Sequence, residues 1–104
     1  MSTARRHKIE EMLAAEPNDP ELHYMLAMEH ASTGDDEGAV RCFRKLIEVA
    51  PAYAPGYHQA GRTLQRLGRT AEARQVLECG IPIALNKGDQ HAAGEMQELL
   101  HTLE

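Results

Sequence analysis

The sequence has no tryptophan, one phenylalanine (Phe43) and three tyrosines, so aromatic residues make up only 4% of it. Its core must therefore be aliphatic and thin, leaving little volume for a deep, water-excluding active site. Cysteine is scarce too. Cys42 and Cys79 lie far apart with no CxxC spacing, which excludes a disulfide scaffold and the usual zinc patterns. Both sit among apolar neighbours and are expected to be small core residues. No stretch approaches the roughly 20 apolar residues that cross a bilayer. The basic segment Met1 to Lys8 is not followed by the apolar run of a secretory signal, and Met1-Ser2 lacks the glycine that myristoylation needs. Cytoplasmic residence is the expectation. No apolar run alternates with period two for long enough to make a sheet, and no glycine-rich loop follows a strand to cradle phosphate.

At 104 residues the chain fits one domain. Its formal charge of −5 is distributed in blocks. Nine acidic residues and no Lys or Arg lie between Ile9 and Val40; seven basic and two acidic residues lie between Arg41 and Arg74; five acids and one lysine follow. A nucleic-acid binder ordinarily shows a net basic footprint, which is absent here. Alternating blocks suit neighbouring helices with complementary surfaces, or a polarised groove.

Sliding the sequence by 34 residues aligns Pro17 with Pro51, Gly34 with Gly68 and Ala39 with Ala73. The same shift puts Ala27 on Gly61, Phe43 on Leu77 and Ile47 on Ile81. Each unit reads as two helices and a turn. Asp19 caps the first helix and Pro20 takes its first turn, where a missing N–H costs nothing. Its stripe is Leu22, Met25, Leu26 and His30, and Gly34 ends it. Asp35, Asp36 and Glu37 open a second helix with negative charge at its N-terminal dipole. Ala39, Phe43, Leu46, Ile47 and Ala50 form the buried stripe there, and Pro51 stops it. In the second unit Tyr57, Ala60, Gly61, Leu64 and Leu67 follow helical spacing to Gly68. Thr70 is then expected to cap a helix through Ala73, Val76, Leu77, Gly80, Ile81 and Ala84, with Pro82 kinking it near Glu78 to Gly80. Flanking helices carry Ile9, Met12 and Leu13 at one end and, after Gly88-Asp89, Ala92, Met96, Leu99 and Leu103 at the other.

These residues resemble the tetratricopeptide repeat family. Ala27, Gly61, Gly34, Gly68, Ala39, Ala73, Phe43 and Pro51 carry its signature between about Asp19 and Ile81, and the tail through Lys87-Gly88-Asp89 to Leu103 looks like that of small bacterial members. His23 and His30 depart from it, standing where the family often has a large aromatic or apolar residue. So does Gly80, where alanine is preferred. The resemblance implies an all-α fold of antiparallel helix pairs in a short right-handed superhelix. On the 34-residue frame, residues 4–16 would form an N-terminal half-repeat helix, 19–51 repeat one, 54–86 repeat two and 89–103 a C-terminal capping helix.

It also implies a protein-interaction module binding a peptide or helix of a partner in its concave groove. First-helix positions would line that groove: Tyr24, Met28 and Ala31 in the first unit, His58, Arg62, Gln65 and Arg66 in the second. Tyr24 and Met28 would supply an apolar spot, or else pack against flanking helices. His58, Arg62 and Arg66 would supply a basic strip able to hold carboxylates, or else a plain solvated face. Members that clamp a chaperone's C-terminal carboxylate use a Lys/Asn/Arg set. Tyr24 and Met28 occupy the first-unit places, so that clamp is not expected. The alternative is an RNA-binding helical repeat using Arg62, Arg66 and Arg69. An enzyme or a metal protein is a lesser reading. His23 and His30 share a helix face without a further ligand, while Cys42 and Cys79 have no recognisable catalytic partner. No cofactor is expected.

Overall fold

The computed structural model describes residues 2–103. The chain forms six helices: α1 (Ser2–Ala15), α2 (Pro20–Ser32), α3 (Asp36–Val49), α4 (Ala54–Arg66), α5 (Thr70–Asn86) and α6 (Gln90–Thr102). There is no strand among the described residues. Each helix packs on the next in sequence, and α6 also touches α4. The stack measures 38 × 28 × 19 Å. None of its helices is long and apolar enough to cross a membrane.

The punctuation works as the residue types dictate. The Asp19 carboxylate accepts from the N–H groups of Glu21 and Leu22, that of Asp35 from Gly38, and that of Asp89 from Ala92. These caps satisfy N–H groups at the starts of α2, α3 and α6 that have no intrahelical partner. Gly34, Gly68 and Gly88 make the turns after α2, α4 and α5 in the left-handed region, with φ of 84°, 74° and 77°. Thr70 does not cap α5. Arg69 occupies the cap position without a side-chain bond to the helix, as the repeat equivalent of Asp35. Its guanidinium instead reaches Glu72 at 2.7 Å and Glu37 at 3.0 Å. Pro82 does not end α5, which stays helical to Asn86. Pro82 and Glu78 are both exposed, so water reaches the carbonyl that proline cannot bond.

Two linked core clusters fill the stack. One gathers Ala27, Ala39 and Ala60 around Phe43 and Leu46; the other centres on Tyr57, Leu64, Leu77 and Met96. Close approach of α4 and α5 depends on missing side chains. A Cβ on Gly61 would lie 2.6 Å from a Leu77 methyl, and one on Gly80 2.5 Å from the Tyr57 Cβ. The unusual His23 has a place in this scheme. Its Nε2 donates to the Pro17 carbonyl at 2.7 Å, while Tyr57, one repeat later, donates its hydroxyl to the Pro51 carbonyl, also at 2.7 Å. The two side chains are equivalent in the repeat and tie the same corner, so the imidazole replaces a phenol without leaving a buried polar group unpaired.

Three side chains expected on an apolar stripe or in the core, Met12, Met25 and Cys79, lie outside it. Met12 and Met25 are 44% and 45% exposed, because Ile9 on α1 and Leu22 with Ala27 on α2 face inward instead. Cys79 is exposed and Cys42 half-buried, so the cysteines are not both core residues. Cys79 lies one position beyond Glu78 on the outer side of α5, in a shallow groove with Arg44, Ile47 and Tyr57.

Candidate functional site: the concave face

α6 packs on α4, and the Arg62 charge on α4 reaches the Tyr24 hydroxyl on α2, so first-helix residues of both units share one face. On α2 the Tyr24 ring stands edge-on to Phe43 (6.1 Å) and Tyr53 (6.0 Å). Burial pushes its hydroxyl pKa up, while the Arg62 charge and a hydrogen bond from Gln59 pull it down. Tyr24 therefore belongs to the packing through its ring and to the open face through its hydroxyl. Met28, one turn on, is 38% exposed. Ala31 is partly buried and packs against the Phe43 cluster.

On α4, His58 and Arg62 line a cleft of about 300 Å³ with Glu95, Glu98, Leu99 and Thr102 of α6. Gln65 bridges the two helices, donating to the Thr102 hydroxyl at 3.3 Å. His58 Nδ1 lies 3.9 Å from Glu95, and His91 Nε2 lies 3.6 Å from the same carboxylate. The His58 pKa is lowered because burial disfavours its cation and Arg62 repels it, against the attraction of Glu95. His58 is thus chiefly a neutral hydrogen-bonding group near neutral pH.

The basic strip is shorter than the sequence suggests. Arg66 turns from the groove to hold Asp36 through two N–H groups, at 3.1 and 3.3 Å. Arg69 is shared between Glu72 and Glu37, and Arg44 reaches Glu72 at 2.7 Å. The alternating charge blocks are accordingly stitched between neighbouring helices by exposed pairs that solvent screens. Arg62 is the arginine of the set that has no carboxylate within ion-pair distance among the described residues. The contribution of α6 was hidden from the sequence. α5 has 17 residues against 14 in α3, which throws α6 out of the repeat frame. The signal was still present in Glu95, Glu98 and Thr102, which recur at one-turn spacing beside the apolar stripe.

The histidines proposed as metal ligands are engaged elsewhere: His23 with Pro17, and His30 Nδ1 with Asp35 at 2.9 Å. That contact and the Gly38 N–H hold the Asp35 carboxyl below its usual range, the Gly38 bond contributing most. Near Cys79 the groove presents Arg44, Tyr57 and Gln75, with no imidazole or carboxylate to act as a base. Burial raises the Cys42 pKa. Native protein is therefore expected to show one promptly reacting thiol with a disulfide reagent, Cys79, and a second, the half-buried Cys42, that labels slowly and accelerates on unfolding. Variants with one cysteine changed to serine assign the phases; two prompt thiols would put Cys42 at the surface.

Tetratricopeptide repeat profiles match residues 20–53 and 42–75. A TPR repeat-containing protein from Pseudomonas aeruginosa is 32% identical over 96 residues, spanning 92% of this chain and 91% of that protein. The crystal structure of a tetratricopeptide repeat domain protein from Salinibacter ruber superimposes with a TM-score of 0.77 at 32% identity, covering 82% of this chain and 94% of the other. The TPR2B domain of yeast Sti1, in a complex with pHsp70, superimposes at 0.88 with 18% identity over 94% of this chain and 78% of that one, a likeness of fold. Domains of this kind generally mediate protein–protein interaction and are typically scaffolds without catalysis. With its helix pairs, its 34-residue period and a relative matched over nearly the whole length of both, the chain belongs to the tetratricopeptide repeat family.

Proposed function

We propose that the concave face binds an extended segment of a partner protein that carries an apolar anchor followed by an acidic residue. The observation behind this reading is the nearness of Arg62 to the Tyr24 hydroxyl, with the exposed Met28 one turn along α2 and the next arginine of α4, Arg66, already paired with Asp36. Tyrosine is a common interface anchor, and its ring is held rigid by Phe43 and Tyr53, so little entropy is lost on contact. Arg62 would fix the acidic residue by a two-pronged bond. Gln65 and His58 would contribute neutral hydrogen bonds, and Glu95 with Glu98 would turn away acidic residues at the α6 end, setting direction along the groove. Arg66 would act indirectly, keeping Asp36 off the groove. The same pairing of Arg66 and Arg69 with carboxylates weakens the RNA reading, since those cations are partly neutralised.

A random peptide library displayed on phage and panned on the protein tests this. The expected enrichment is an aromatic or aliphatic residue with Asp or Glu a few positions away. Arg62→Glu should reduce binding of selected peptides at least about tenfold, an interaction difference of roughly 1.4 kcal/mol, while helicity is retained because Arg62 is exposed. Selected peptides without an acidic preference, or with unchanged affinity for Arg62→Glu, would place recognition on another face.

A further inference from the structure

The α1–α2 end of the stack carries an exposed apolar face. The Arg5–Glu29 ion pair, 3.1 Å long, sets the antiparallel register of the two helices. Met12 follows Arg5 by two helical turns and so lies on nearly the same stripe of α1. Met25 precedes Glu29 by one turn on α2, and Met28 lies three positions further along. The stripes that meet at the ion pair thus bring the three methionines to one side. They are 44%, 45% and 38% exposed, and with Leu85 they are the exposed large apolar side chains among the described residues. The opposite end of the stack differs in kind: α6 presents exposed Gln90, His91, Gln97 and His101 to solvent.

The charges along α1 indicate what covers this face. Lys8 lies before the middle of the helix and Glu11 after it, both exposed and on the Met12 side, together with the small residues Ala4 and Ala15. Neither Lys8 nor Glu11 forms an ion pair with another described residue. If two α1 helices lie antiparallel about an axis between Ile9 and Glu10, Lys8 of each copy falls opposite Glu11 of the other. Ala4 then faces Ala15, also twice, which permits close approach. A two-fold contact requires a surface complementary to itself, and this helix has that property in charge and in size.

We infer that this face joins two copies of the chain in a two-fold dimer, α1 antiparallel to α1, with Met12 and Met25 closing over the junction. Methionine suits such a contact because its flexible thioether fills irregular gaps. This face borders the concave groove at Met28, but Met12 and Met25, which close the junction, are not groove residues, and the substitutions that test the contact leave every residue of that groove unchanged.

Sedimentation velocity on the 104-residue chain, from about 1 μM to about 1 mM, is the experiment. The average mass should rise from 11.5 kDa toward twice that value. Met25→Glu should weaken association at least about tenfold; Met25→Gln, adding no charge, should weaken it less. Lys8→Glu and Glu11→Lys should each weaken it, and the double exchange should restore it. Circular dichroism should stay unchanged, since all the altered side chains are exposed in the monomer. A chain that stays monomeric throughout overturns the inference. So does a dimer indifferent to Met25→Glu, which would mean that another surface pairs, or a double exchange that associates no better than the single ones.

Discussion

Phe43→Ala is expected to lower folding free energy by about 3–5 kcal/mol, the range for removing a fully buried ring. Phe43 is wholly inaccessible and is surrounded by Ala27, Ala39, Ala60 and Leu46. Alanines cannot swing inward to fill a void, so much of the cavity should persist and the loss should fall in the upper half of that range. Tyr24 would also lose its edge-on partner, which adds about 0.5–1.5 kcal/mol. A chain of this size has roughly 5–15 kcal/mol in total, so the variant should be marginal near 37 °C. Urea melts followed by circular dichroism measure the loss. A shift below about 1 kcal/mol would mean that the ring is not enclosed.

The position of Phe43 was readable from the sequence because repeat period and helix period agreed there. Ala39 and Phe43 fall on one inward stripe of α3 and recur as Ala73 and Leu77, while the buried Ala27 of α2 recurs as Gly61. The turn glycines and the Asp19 and Asp35 caps were readable for the same reason, since each needs a particular residue type at a particular point. Legibility failed where hydropathy stood in for geometry. Met12 and Met25 have apolar side chains on flanks that no helix covers, and Cys79 lies on the outer side of α5. Thr70 has the chemistry of a cap but sits one residue too late.

The candidate site was legible in part. Tyr24, Met28, His58 and Arg62 do occupy neighbouring first helices, as the repeat frame implies. The fate of Arg66 and Arg69 was not legible, because their partners Asp36 and Glu37 belong to the preceding unit. Only the distance between α3 and α4–α5 decides whether such charges meet. Composition showed that the blocks were complementary; the packing shows which members are spent in holding the units together and that Arg62 remains.

Gly80→Ala is expected to destabilise the protein by about 1–3 kcal/mol, the usual cost of overpacking, although alanine is the better helix former. In an open helix interior the exchange would gain up to about 1 kcal/mol. Here the added Cβ would stand 2.5 Å from the Tyr57 Cβ and 2.8 Å from the Met96 sulfur. The sulfur ends a flexible chain and can yield. The Tyr57 Cβ is bonded directly to the α4 backbone, so relief requires α4 and α5 to separate. That movement also strains the Tyr57–Pro51 hydrogen bond, which ties the corner before α4. The same repeat position holds Leu46 in the first unit, where the equivalent of Tyr57 is His23; room surrendered to a tyrosine in one unit is taken by a leucine in the other. Gly94 supplies the control. It lies inside α6, and a Cβ there would meet nothing within 4 Å, so Gly94→Ala should stabilise by about 0.5–1 kcal/mol. Parallel urea melts of the two variants should therefore move in opposite directions. A stabilised Gly80→Ala protein would show that α4 and α5 are not packed as closely as the missing Cβ requires.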